Sequence, residues 1–134
     1  MGVSRADTVL PTLSDSLAMR LVHEADGETR TLATDVEFAT SFVQKFMGLR
    51  FRSSIPEAYG LVFTFDSVRK RRLDMVFVRT PIDVVWRDGD EVVGVKTLSA
   101  WTGTAAVASD SFIELAPGVA EGIEVGDTVR LEDS

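Results

Sequence analysis

The stretch Arg72 to Lys96, RLDMVFVRTPIDVVWRDGDEVVGVK, constrains this chain most, because Pro81 and the Asp88-Gly89 pair divide it into three apolar runs. Before Pro81, Met75, Phe77 and Arg79 fall on one side of an extended chain and Val76, Val78 and Thr80 on the other. Beyond it, Ile82, Val84 and Trp86 oppose Asp83, Val85 and Arg87. Alternation of period two with β-branched filling predicts strands. Asp88-Gly89-Asp90 followed by Glu91 to Val95 predicts a hairpin turn returning into a further strand. The core is therefore expected to be β-rich, with Asp83 a single carboxylate between two apolar stretches.

A chain of 134 residues with 45% hydrophobic content suits one domain with a sizeable core; divided in two, each half would be small. No apolar run approaches the roughly 20 residues of a membrane-spanning helix, and the N-terminus lacks a signal-peptide pattern, so a cytoplasmic protein is expected. With no cysteine, disulfides, thiolate catalysis and cysteine-zinc sites are excluded. The net charge of -7 is unevenly spread: residues 37–87 carry nine bases and five acids, and residues 88–134 carry two bases and ten acids. That asymmetry leaves room for one basic face on an otherwise acidic protein. Eleven arginines against three lysines, with abundant acids, fit either adaptation to high salt or a simple bias toward arginine.

Residues 1–17 have weak periodicity and are expected to form a flexible leader to a domain spanning 18–134. Met19 to His23 and Glu28 to Ala33 flank Asp26-Gly27 and predict a first hairpin, with His23, the only histidine, as an ordinary strand residue. Thr34 to Glu37 has capping-box spacing. Phe38, Phe42 and Phe46 then recur at helical intervals up to Gly48, which predicts a helix over 34–47 with an aromatic face on the core. Leu61 to Phe65 predicts a strand, and Arg69-Lys70-Arg71-Arg72 a solvated turn between strands. Trp101 opens a stretch of small residues through Ser109 that suits a loop over the sheet or along a shallow cleft; Ser111 to Leu115 and Gly126 to Leu131 predict the last strands.

Four segments, Gly48 to Arg52, Gly60 to Phe65, Arg79 to Trp86 and Phe112 to Gly118, with Gly122-Ile123 and Gly126-Asp127 beyond them, resemble the DUF192 family in family order. The resemblance implies a compact β-rich domain with a little helix and no established activity. It implies Arg50, Arg79, Asp83 and Glu114 as the recurring polar positions, and Gly48, Pro81 and Gly118 as shapers of the backbone. The chain departs from the family pattern at Leu73-Asp74-Met75, where a histidine or tryptophan is common, and at Val78, where methionine is common, so a histidine-based site there is not supported.

The expected fold is mainly β: a compact sheet or partly closed barrel with one principal packed α-helix. The expected function is a noncatalytic ligand-binding or interaction domain whose cleft is bordered by Arg50, Arg79, Asp83, Trp101 and Glu114. No nucleophilic triad, metal-ligand set or cofactor motif is visible. A carboxylate-based or metal-assisted hydrolase is the alternative, and requires Asp83 and Glu114 to converge. Its rival, a nucleic-acid module, requires Arg52 and Arg69 to Arg72 to form one exposed surface. A small molecule or a protein is the expected partner, with nucleic acid disfavoured.

Overall fold

The computed structural model describes residues 19–41 and 48–133. The expected leader lies outside them. Eight strands follow in order: β1 (Met19–Ala25), β2 (Glu28–Ala33), β3 (Asp35–Ala39), β4 (Tyr59–Asp74), β5 (Ile82–Asp88), β6 (Glu91–Leu98), β7 (Thr104–Leu115) and β8 (Thr128–Asp133). They form one open sheet in the order β2-β1-β8-β6-β5-β7-β4-β3, antiparallel except for β3 beside β4. Both predicted hairpins are present. β1 turns into β2 through Asp26 (φ 53°) and Gly27 (φ 78°), the doubly left-handed turn that matches strand twist. β5 returns as β6 with Asp88 opposite Glu91.

The alternation read around β5 sorts the core into two layers. Ile82, Val84 and Trp86 pack with Leu61, Phe63 and Phe112 on one face of the sheet. Val85 packs with Leu21, Val62, Ile113 and Val129 on the other. The second layer is enclosed because the sheet curls. At Gly60 in β4 a Cβ would come within 2.8 Å of Leu21 Cδ1 on β1 and 3.3 Å of Ala33 Cβ on β2. The first layer is covered by loops, through the buried side chains of Leu49, Met75 and Val78, and by Leu98 at the end of β6.

Four expectations are corrected. Thr34 begins no helix: Asp35–Ala39 is a strand, and no helix occurs among the described residues. Its capping-box spacing loses to parallel pairing with Tyr59–Phe63, introduced by hydrogen bonds from the Thr34 and Asp35 amides to the Ala58 carbonyl. Residues 42–47 of the predicted helix, including Phe42 and Phe46, lie outside the described residues. Met75 to Arg79 is a loop rather than a strand; Met75 and Val78 are buried while Val76 and Phe77 between them are exposed, a spacing of three that a turn gives and a strand does not. Arg69 to Arg72 is not a turn but the far half of β4, paired residue by residue with Ser109 to Ala106. The small residues Thr104 to Ser109 form that partner strand instead of a loop. Small side chains suit it, since β4 and β7 continue beyond the thick part of the core.

Candidate binding cleft

Three loops meet over the first core layer, and each pairs a buried apolar anchor with an exposed aromatic ring. Leu49 is followed by Phe51, Phe77 is flanked by Met75 and Val78, and Leu98 precedes Trp101. Backbone hydrogen bonds tie the loops together. The Phe51 amide donates to the Phe77 carbonyl at 2.8 Å, the Trp101 amide to the Val78 carbonyl at 3.0 Å, and the Met75 amide to the Gly103 carbonyl at 3.0 Å. The Phe51 and Phe77 rings stack with centroids 4.9 Å apart, and Trp101 meets Phe77 edge-on at 5.5 Å.

All three rings are about half exposed, and all three residues adopt left-handed backbone: φ is 70° at Phe51, 65° at Phe77 and 66° at Trp101. That conformation costs a non-glycine residue about 1–2 kcal/mol. Core packing does not offset it, because the rings face solvent.

Beside the platform lies an open cleft of about 460 Å³ lined by Arg50, Phe51, Arg72, Asp74, Val76 and Phe77. Arg50 grips Asp74 with two hydrogen bonds, at 2.9 and 3.2 Å, and donates a third to the Val76 carbonyl at 2.5 Å. Asp74 also accepts from the Val76 amide. The Arg50 guanidinium, helped by that amide, holds the Asp74 carboxyl below its ordinary range despite a smaller opposing effect of burial. This network fixes the turn that presents Phe77.

The five residues expected to border one cleft do not gather. Arg50 lines it; Trp101 does not, and reaches it only through the edge-on contact with Phe77. Arg79 is exposed on the central loop, two residues past Phe77. Glu114 is buried beneath the first loop: a Cβ on Gly48 (φ 48°) would lie 3.5 Å from its Oε1. Burial raises its carboxyl to about 8, against the lowering influence of Arg50 and Arg52. Asp83 lies on the opposite face, because Glu114 pairs across with Val84 while Asp83 pairs with Leu115. There it accepts the Thr97 hydroxyl at 2.7 Å and the Gly118 and Ala120 amides at 2.9 Å each. Gly118 (φ 93°) shapes the turn that Asp83 holds, and Pro81 stands at the entry to β5. A sheet thus separates the two carboxylates that the hydrolase reading needed together. Two arginines of the nucleic-acid reading have partners within the chain: Arg52 reaches Glu37 and lies over the Tyr59 ring, and Arg71 lies over Phe65 and bonds to backbone carbonyls.

Sequence reasoning missed Phe51 and Phe77. Phe77 was hidden by a false strand alternation, and Phe51 by its arginine neighbours. It also missed the part-buried pair His23–Asp127, where Nε2 donates to the carboxylate at 2.8 Å and Arg30 Nε donates to Nδ1 at 3.1 Å. Both ring nitrogens are occupied, so the imidazole ties β1, β2 and the approach to β8. Among the described residues no cluster of three metal-ligating side chains occurs, and no helix is long and apolar enough to cross a membrane.

Fold and cleft together define a small single-sheet domain, mainly β, with a loop-built aromatic surface over one face. The chain belongs to the DUF192 family, described as an uncharacterized ACR family, whose profile matches residues 22–131. It is 30% identical over 82 residues to a UPF0127 protein of Thermococcus gammatolerans; the match takes in 60% of this chain and 52% of that protein, so it spans about half the relative's length. Two crystal structures share the fold. A protein of unknown function from Novosphingobium aromaticivorans aligns with a TM-score of 0.70 at 20% identity, covering 83% of each chain. A Sinorhizobium meliloti protein, provisionally called a transcription regulator, aligns at 0.71 with 22% identity, covering 84% of this chain and 93% of that one. At such identities the likeness concerns the fold alone. None of these descriptions names an activity, and the family itself is described as uncharacterized.

Proposed function

We propose that this is a noncatalytic binding domain that takes a small ligand in the cleft beside Phe51, Phe77 and Trp101. The observation that carries the reading is the coincidence, on one patch, of three exposed aromatic rings with three left-handed non-glycine backbones. Glycine would relieve the strain, and polar side chains would suit the solvent; bulky rings satisfy neither demand. Strain of this kind concentrates where a surface is shaped for recognition. The cleft volume falls within the few hundred to a thousand Å³ typical of small-molecule sites. Arg50 and Asp74 serve as scaffold, and Asp83 holds a turn elsewhere, so the reading asks no chemistry of either.

The two tryptophans make the test direct. Trp86 is fully buried, whereas Trp101 is 49% exposed, so quencher-sensitive emission reports Trp101. A panel of planar ring compounds should include saturable ligands that shield Trp101 from acrylamide, and Phe77→Ala, still folded by circular dichroism, should lose them. Unchanged affinity in that variant, or no saturable response across the panel, counts against the cleft. A hydrolytic turnover that disappears in Asp83→Asn or Glu114→Gln would replace binding with catalysis as the better account.

A further inference from the structure

We propose that the ligand of this cleft is a small planar aromatic anion, its ring stacked on Phe51 and Phe77 and its charged group held by Arg72. This rests on the binding reading above and adds the chemical class. Among the described residues, three ionised side chains line the cleft: Arg50, Arg72 and Asp74. Arg50 and Asp74 pair through two hydrogen bonds, and Arg50 donates a third to the Val76 carbonyl.

Arg72 is the exception. It is exposed on β4, two residues before Asp74 and therefore on the same side of the strand. Its guanidinium makes no hydrogen bond and no close ion pair among the described residues, and exerts only a minor electrostatic influence that helps keep Asp74 ionised. One cationic group is left over, in a lining whose apolar members are Phe51, Val76 and Phe77. A guanidinium beside a flat apolar wall complements a carboxylate or phosphate attached to a flat ring, through paired N–H donors and stacking.

Two observations limit the charge and size of the occupant. The chain carries a net charge of -7, which repels polyanions, and the surplus among the described residues of the cleft is a single positive charge. The neighbouring basic side chains do not extend it, since Arg71 turns to backbone carbonyls and Arg52 to Glu37. The cavity of about 460 Å³ has room for one ring system with its substituent. An isolated anionic aromatic fits better than a nucleic-acid strand.

Four probes in two matched pairs test the class: adenosine 5′-monophosphate against adenosine, and indole-3-acetate against indole, by calorimetry at low ionic strength. Within at least one pair the anion should bind roughly tenfold tighter than its neutral partner. Arg72→Gln should erase that preference and leave the neutral compound unchanged, and added salt should weaken the anion by about one charge contact. Phe77→Ala should weaken anion and neutral compound together. Equal affinity within both pairs overturns the anionic class yet leaves the cleft intact, provided Phe77→Ala still abolishes binding. Binding that survives Phe77→Ala overturns the cleft itself. Failure of all four probes to bind overturns the class. Tight binding of a single-stranded oligonucleotide with a salt dependence of several contacts overturns it in favour of a nucleic-acid strand.

Discussion

A phenylalanine held at a φ of 65° beside solvent is an expense that the rest of the molecule does not need. Phe77 can therefore be separated from the fold by substitution. Phe77→Gly gives up the stacking with Phe51 and Trp101, worth about 0.5–1.5 kcal/mol per pair, and relieves about 1–2 kcal/mol of backbone strain. Stability in urea should stay within about 1 kcal/mol of wild type while ligand binding is lost; a loss of 3 kcal/mol or more would make the ring a structural element. Glu114 offers the opposite case, a residue whose burial burdens the fold. Its proton is held up to about 8 in the folded state against an ordinary 4.5, so the folded protein binds more protons than the unfolded chain between those values. Stability must then fall as pH rises from about 4.5 to about 8 and level off above. Urea unfolding from pH 5 to pH 9 should show wild type losing roughly 3–5 kcal/mol from this group, with a flatter profile in Glu114→Gln. Parallel profiles would place the carboxyl in contact with water.

Among elements, the sequence was most readable where chemistry is local. Asp26-Gly27 and Asp88-Gly89 specify their turns, and the alternation of Ile82 to Arg87 specifies a strand buried on both faces, because side-chain period and turn geometry act within a few residues. It was least readable where a distant partner decides. Asp35–Ala39 pairs with Tyr59–Phe63 across an intervening segment, and capping-box spacing carries no information about that partner. The same limit misgrouped the site. Arg50 and Trp101 stand out as residues, whereas the assignment of Asp83 and Glu114 to opposite faces depends on the register of β5 against β7, which no local pattern encodes. Asp83 is better understood through the element it secures, the turn containing Gly118 and Ala120. Asp83→Ala should leave two amides without their acceptor and cost roughly 3–5 kcal/mol in equilibrium unfolding. Asp83→Asn, which keeps one acceptor oxygen, should cost less than half as much. Ligand binding in the cleft should be unchanged in the Asn variant, since the sheet stands between; a lost ligand would tie Asp83 to the site after all.

Over the whole molecule, one sheet serves two purposes. Its curl closes the layer around Val62, Val85 and Ile113, and its opposite face supports the loops that present the aromatic rings. The curl depends on close approach at Gly60, where a methyl group would meet Leu21, Ala33 and Leu115 within 3.3 Å. Gly60→Ala should destabilise by about 1–3 kcal/mol in chemical denaturation, and an unchanged midpoint would mean that β1 and β4 do not press together. The account stands or falls on where a ligand goes. The most direct measurement maps amide chemical shifts of the wild-type protein during titration with the planar ring fragments that protect Trp101. The account predicts shifts concentrated at residues 48–52, 72–79 and 99–103. Shifts centred instead on Asp83, Thr97 and Gly118, or on the turns at Asp26 and Asp127, would contradict it.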